Sequence, residues 1–145
     1  DAYIPSSFAT EDYEKITLYQ RMEDIHTKKE LLAMMDEIKD NYGKLPKAVQ
    51  LLFEKKRLDI CINEPHVDAF RELPKAVELT FTSAWSNSID GVALFEMMTT
   101  ISKNITIRYM NGKITMKLPK LKDWLYTVIE VLERTEPMGE EQTAS

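Results

Sequence analysis

Few residues in this chain of 145 combine the type and the spacing that chemistry needs. The single cysteine, Cys61, stands between Ile60 and Ile62 and reads as a small buried side chain rather than a nucleophile, with no base beside it in sequence. The two histidines, His26 and His66, are far apart and have no cysteine pair near either. His26 closes a helical pattern, where a cation suits the helix dipole, and both histidines are expected to be structural. Carboxylates are plentiful: Asp36, Glu37, Asp40, Glu64, Asp68, Asp90 and Asp123. A catalytic pair needs two of them close together in unlike environments, and no spacing singles out such a pair. The four glycines include no Gly-x-x-x-x-Gly-Lys loop, so nucleoside triphosphate binding by that route is excluded.

One feature rises above this background. From Lys103 to Lys122 the chain carries Lys103, Arg108, Lys113, Lys117, Lys120 and Lys122 and no acid, although its net charge is −5. Such a run can protect a hairpin edge from sheet-to-sheet aggregation. It can also form a surface for an acidic partner or a phosphate backbone. The first reading is favoured, because the aromatic residues of this stretch fall on the core-facing side and leave no stacking platform. The eight methionines and Tyr3, Tyr13, Tyr19 and Tyr42 are expected in the core rather than in a binding patch.

The elements that must position these residues follow from periodicity. Asp1 to Pro5 is extended, Ser6 to Ala9 a connection, and Thr10 a helix cap. Tyr13, Ile16, Tyr19, Met22 and Ile25 then form one face of a helix over about 10–26. Thr27 and Glu30 make a capping box that starts a second helix, over 27–42, with Leu31, Met34, Met35, Ile38 and Tyr42 at helical spacing. Gly43 can end it in a left-handed conformation, and Pro46 suits the first turn of a third helix, over 46–62. Asn63-Glu64-Pro65 stops that helix.

The pattern then turns to period two. Val77, Leu79 and Phe81 alternate with polar residues in a strand over 76–82, with 66–70 as a partner strand. Ser83 to Asn87 is read as a loop. A helix over about 88–102 points Val92, Phe95, Met98 and Ile101 inward. Asn111-Gly112 favours a two-residue type I′ turn between strands 105–110 and 113–118. That turn pairs Tyr109 with Ile114, Ile107 with Met116 and Ile105 with Leu118, which places every apolar residue on one face. A last helix, over 120–135, ends at Pro137.

The expected fold is therefore α+β. An N-terminal three-helix segment precedes a β(β)αββα unit, a small, mostly antiparallel sheet with helices packed on one face. Residues 1–136 read as a single domain and 137–145 as a disordered acidic tail. Hydrophobic and charged contents of 43% and 30% are those of a globular protein. No apolar run is long enough to span a membrane, and no signal peptide is visible. One cysteine permits no internal disulfide and fits a reducing cytoplasm. The negative charge argues against nucleic acid as the main ligand. A start at Asp1 suggests a piece of a longer protein.

Asp1-Ala2-Tyr3-Ile4-Pro5 resembles the opening of the C-terminal domain of the bacterial transcription-repair coupling factors, the Mfd family. Ile16-Thr17-Leu18-Tyr19-Gln20-Arg21 is similar to that family's R-I-x-L-Y-x-R helix. The stretch from Asp36 through Asp40-Asn41-Tyr42-Gly43 to Pro46 resembles its E-L-x-D-R-F-G-x-L-P corner. The resemblance covers roughly the first third of the chain. Asn41 stands where the family has arginine, which removes a fixed positive fork, and Tyr42 where it has phenylalanine, which keeps a packing ring.

The resemblance implies a regulatory domain of a large cytoplasmic, ATP-dependent DNA translocase. That parent removes stalled RNA polymerase at DNA lesions and recruits UvrA for excision repair. Its ATP and Mg sites, and its helicase-like hydrolase activity, would lie in another region, so this fragment is expected to be non-catalytic and to need no cofactor. The domain would dock on the parent's UvrB-like N-terminal module, mask the UvrA-binding surface and restrain the motor. In isolation it would be a monomer. Asp1, Tyr3, Pro5, Arg21, Asp36, Asp40 and Asn41 are the candidate contacts to that module. The alternative is a nucleic-acid-binding module that uses the basic 103–122 surface.

Overall fold

A computed structural model, which describes residues 2–4 and 12–144, contains six helices and a four-stranded sheet among those residues. The helices are α1 (Asp12–Glu23), α2 (Lys28–Tyr42), α3 (Lys47–Ile62), α4 (Ser83–Ser88), α5 (Gly91–Ile101) and α6 (Trp124–Ala144); the strands are β1 (Val67–Glu72), β2 (Ala76–Phe81), β3 (Thr106–Met110) and β4 (Lys113–Pro119). The expected α+β class is what is found. Contacts divide the chain into two compact units, Asp1–Ile60 and Cys61–Ser145, and the division falls within α3.

The first unit is helical. Thr27 caps α2 by accepting the Glu30 N–H, and the Glu30 carboxylate reaches back to the Thr27 hydroxyl and the His26 N–H, which completes the capping box. Leu31, Met34 and Ile38 line the buried face of α2 and join Leu18, Met22, Ile25, Leu45, Val49 and Phe53 in one core. On α1 the inward residues are Leu18 and Met22, continued past its end by Ile25, whereas Ile16 and Tyr19 of the expected face are exposed. A strict three-residue repeat drifts about 60° around a 3.6-residue helix at each step, so it cannot stay on one buried face. The Thr10 cap and the Tyr13 side chain lie outside the described residues.

Gly43 closes α2 with φ 84° and ψ −154°, and its N–H is donated to the Lys39 carbonyl. This backbone is open essentially to glycine alone, a stronger demand than the left-handed conformation expected. Pro46 stands just before α3 rather than inside its first turn; its carbonyl accepts the N–H groups of Val49 and Gln50.

The second unit builds the sheet in the order β1-β2-β4-β3, with every adjacent pair antiparallel. The hairpin register is the expected one: Tyr109 opposite Ile114 and Ile107 opposite Met116. Asn111 and Gly112 have φ of 54° and 77°, as a type I′ turn requires. Since β2 and β3 both run antiparallel to β4, they are parallel to each other with β4 between them. Val77, Leu79, Phe81, Ile114, Met116 and Leu118 form the buried face. Helices α4 and α6 pack on β4, and α5 packs against α6.

Three expectations for this unit change. Ser83 to Asn87 is helical, because the Thr82 hydroxyl accepts the Trp85 N–H and caps α4. Helix α5 starts at Gly91 behind its own cap, Asp90, and buries Leu94 and Met98; Val92 and Phe95 are exposed, for the same reason of period as on α1. Helix α6 starts at Trp124 and passes through Pro137 to Ala144 instead of ending there. Proline removes one intrahelical hydrogen bond. In return, Met138 is buried and Gly139 lets the Trp85 indole lie against the helix.

Candidate functional site

The residues that could do chemistry are mostly absorbed by packing. Cys61 is buried, and His26 is exposed at the end of the α1 segment. His66 is buried in an aromatic cluster: its ring is stacked 5.6 Å from Phe81 and lies tilted 5.7 Å from Trp85. Its Nε2 is 3.1 Å from Thr135 Oγ1. The Trp85 indole N–H is donated to the Thr135 carbonyl at 3.0 Å. The Ile114 N–H of β4 is donated to Ser86 Oγ at 2.9 Å, beyond the last β4 residue paired with β2. These bonds serve the buried Trp85 indole and the Ser86 and Thr135 hydroxyls where α4, α6 and the sheet meet. Sequence reasoning missed this cluster, whose hydrogen bonds between elements join residues 28 to 69 positions apart. Among the described residues, no group of three or more His, Cys, Asp and Glu could hold a metal ion. Also among them, no helix is long and apolar enough to cross a membrane.

Two surfaces remain. The first lies on the helical unit. Helix α2 exposes Asp36 and Asp40 opposite its buried row, Glu37 on its flank and Asn41 at its C-terminal end. Arg21 of α1 forms an ion pair with Glu37, both side chains being about half exposed. Tyr3 is exposed, whereas its neighbour Ile4 is buried and donates its N–H to the Tyr19 hydroxyl at 2.9 Å. Tyr19 therefore holds the N-terminal strand-like segment from the surface instead of filling the core. Of the seven candidate contacts, Tyr3, Arg21, Asp36, Asp40 and Asn41 are all on the surface, and Asp1 and Pro5 lie outside the described residues.

The second surface is the basic hairpin, and the fold divides its charges. Lys113 Nζ is 3.0 Å from Asp68 Oδ2 and Lys120 Nζ is 3.2 Å from Glu72 Oε1, both acids belonging to β1. Lys120 also lies 5.1 Å above the Trp124 ring. Lys117 stands directly across the sheet from Glu78, which in turn faces Arg71. Glu78, Thr106, Arg108, Met110, Thr115 and Lys117 line an open hollow of about 240 Å³ on the solvent face. The six-cation run is thus matched by acids at three positions, which leaves Lys103, Arg108 and Lys122 as the cations around β3. A phosphate backbone needs a continuous positive track, and this face alternates in sign.

Comparison with known proteins gives the family of the chain. The TRCF domain model matches residues 1–92, which include the whole helical unit. The transcription-repair-coupling factor of Bacillus subtilis (strain 168) is 31% identical over 138 residues, covering 92% of this chain and 12% of that protein. The transcription-repair-coupling factor of Staphylococcus epidermidis is 22% identical over 125 residues, covering 86% of this chain and 11% of that protein. The chain thus spans about an eighth of the length of these relatives. The solved structure described as the crystal structure of the C-terminal domain of transcription-repair coupling factor shares the fold, with a TM-score of 0.74 at 17% identity, covering 97% of this chain and 90% of that one. On the family match, which takes in well over half its residues, the chain belongs to the TRCF domain family.

Proposed function

We propose that the chain is the C-terminal regulatory domain of a transcription-repair coupling factor, working by docking rather than catalysis. It rests on the parent's UvrB-like N-terminal module, masks the UvrA-binding surface and restrains the DNA-translocase motor that removes stalled RNA polymerase. ATP and Mg belong to the motor region of that cytoplasmic parent, and this domain needs no cofactor of its own.

The observation that supports this reading is the polar ridge of α2. Asp36, Glu37, Asp40 and Asn41 face solvent within the stretch matched by the family, while the residues of the same helix that the fold needs point inward. A charged, exposed ridge on a packed helix pair suits a reversible contact within one chain, where high effective concentration lets weak pairing suffice.

The test measures the ATPase rate of the parent with and without this segment, in the absence of polymerase, together with UvrA pull-down. Deletion should raise both. The charge reversals Arg21→Glu and Asp40→Lys should do the same in part and leave the melting temperature of the isolated domain nearly unchanged, since exposed ion pairs contribute about 0–1 kcal/mol. Unchanged ATPase and unchanged UvrA capture after deletion would refute the docking role.

A further inference from the structure

The two edges of the sheet are built differently. Edge β1 has an irregular register between Val67 and Ala69, and its charged residues Asp68, Arg71 and Glu72 are engaged with Lys113, Glu78 and Lys120. A bulge and interlocked charges are ordinary ways to stop another chain from pairing. Edge β3 has neither. Its five residues, Thr106 to Met110, pair with β4 in unbroken register and contain no proline. In a two-residue hairpin the pair flanking the turn, Met110 with Lys113, is hydrogen-bonded, so Arg108 and Thr106 also turn their backbone groups toward β4. The N–H and C=O groups of Ile107 and Tyr109 therefore point out of the sheet's open edge. Tyr109 and Met110 are 61% and 55% exposed at one end of that edge. At the other end a hollow of about 190 Å³ is lined by Ile101, Ile105, Leu118, Lys122 and Trp124 among others. Lys103 lies in the chain between Ser102 and Asn104, which line the same hollow.

We propose that β3 is a docking edge for an extended, acidic peptide segment of a partner protein, which adds to the sheet as a fifth strand. The main chain of the partner would bond to Ile107 and Tyr109, as strand addition requires. An apolar side chain of the partner fits the hollow beside Trp124. Carboxylates on alternate residues reach Arg108 on the solvent face, and those at the end of the segment reach Lys103 and Lys122. Charge complementarity selects the occupant: Arg108 stands opposite Thr115 rather than an acid, and the stretch from Lys103 to Lys122 holds no carboxylate, in a chain that is acidic overall. This docking edge lies in the second unit and is independent of the α2 ridge.

The experiment is amide NMR titration of the 145-residue chain with a blocked synthetic heptapeptide alternating glutamate and valine. The controls are a lysine-valine version and an acidic version N-methylated at alternate residues. Binding of the acidic peptide should shift and protect from exchange the Ile107 and Tyr109 amides. It should be lost with either control peptide. Arg108→Glu, which leaves the β4 ladder in place, should weaken it about tenfold. Tyr109→Pro should abolish it, because it removes an outward N–H at an edge position that tolerates proline; the unperturbed spectrum of β2 and β4 in both variants reports that the fold is kept. Equal binding of the N-methylated peptide, protection elsewhere, pairing of β3 with a second copy, capture of a DNA duplex in place of the peptide, or no binding at millimolar peptide would each overturn the proposal.

Discussion

Replacing Gly139 with alanine sets two effects against each other. Alanine is the better helix former by about 1 kcal/mol, so a frayed end of α6 would gain stability from the change. In the folded protein the new Cβ would stand 2.7 Å from Cδ1 of Trp85 and 3.1 Å from its Nε1. That indole has little room to yield. Its N–H is donated to the Thr135 carbonyl, its ring is stacked 4.5 Å from Phe81, and it is 6% exposed. Overpacking a site of this kind costs about 1–3 kcal/mol. Shifting the indole would also weaken a hydrogen bond with a net contribution of about 1 kcal/mol. Set against the helix gain, the expected loss is about 1–3 kcal/mol. Urea unfolding followed by far-UV circular dichroism reads it as a lower midpoint at constant slope. The Trp85→Leu background supplies the control: with the ring gone, Gly139→Ala should become neutral or stabilising, a coupling above about 1 kcal/mol. A Gly139→Ala protein at least as stable as the parent, with no coupling to position 85, would refute the reasoning and show that α6 does not press on the indole beyond Pro137.

Other outcomes follow from single sites. Gly43→Ala should cost about 1–3 kcal/mol although nothing lies within 4 Å of the added Cβ, and Gly43→Asn should cost as much, because ψ −154° is outside the left-handed region that asparagine accepts; thermal melts check both. Hydrogen bonds from the Thr27 hydroxyl and the His26 N–H hold the Glu30 carboxyl below its ordinary value of 4.5. A lowered folded-state value means that its contribution to stability is fully present above about pH 4.5 and fades as pH falls through the lowered value. Carboxyl NMR titration should show Thr27→Ala moving Glu30 back up. Lys113→Ala should change stability by less than about 1 kcal/mol in a urea melt, since its pair with Asp68 is exposed at both ends.

Local chemistry made part of the fold legible. The Thr27–Glu30 box, the Gly43 corner and the Asn111-Gly112 turn each act over a few residues, through φ values or hydrogen bonds that the residue types themselves prescribe. The hairpin register followed from the turn length and the alternation of Ile107, Tyr109, Ile114 and Met116. The inward rows of α1 and α5 were misread because apolar residues recur every three positions there. On a 3.6-residue helix such a row spirals, and the neighbour that covers it decides which members are buried. The helix at Ser83–Ser88 was hidden in a Ser- and Asn-rich stretch whose one strong signal, the Thr82 cap, is also a common loop residue. Among the candidate contacts, Asp36 and Asp40 are exposed because they fall opposite Leu31, Met34 and Ile38 on α2, whereas Asn41, on the side of Ile38, is exposed at the end of the helix.

The sequence by itself determined the Thr27–Glu30 cap, the corner at Gly43, the hairpin and its register, and the family, since each is written in neighbouring residues or in an ordered motif. Only the tertiary structure decided that β4 lies between β2 and β3, which makes β3 an open edge. Only it matched Lys113, Lys117 and Lys120 with Asp68, Glu78 and Glu72, and so turned a run of six cations into a surface of alternating sign. It also carried α6 through Pro137, where the bond that proline removes is offset by Met138 burial and the Trp85 contact. These outcomes depend on partners tens of residues away, and their energies exist only once the chain has brought those partners together.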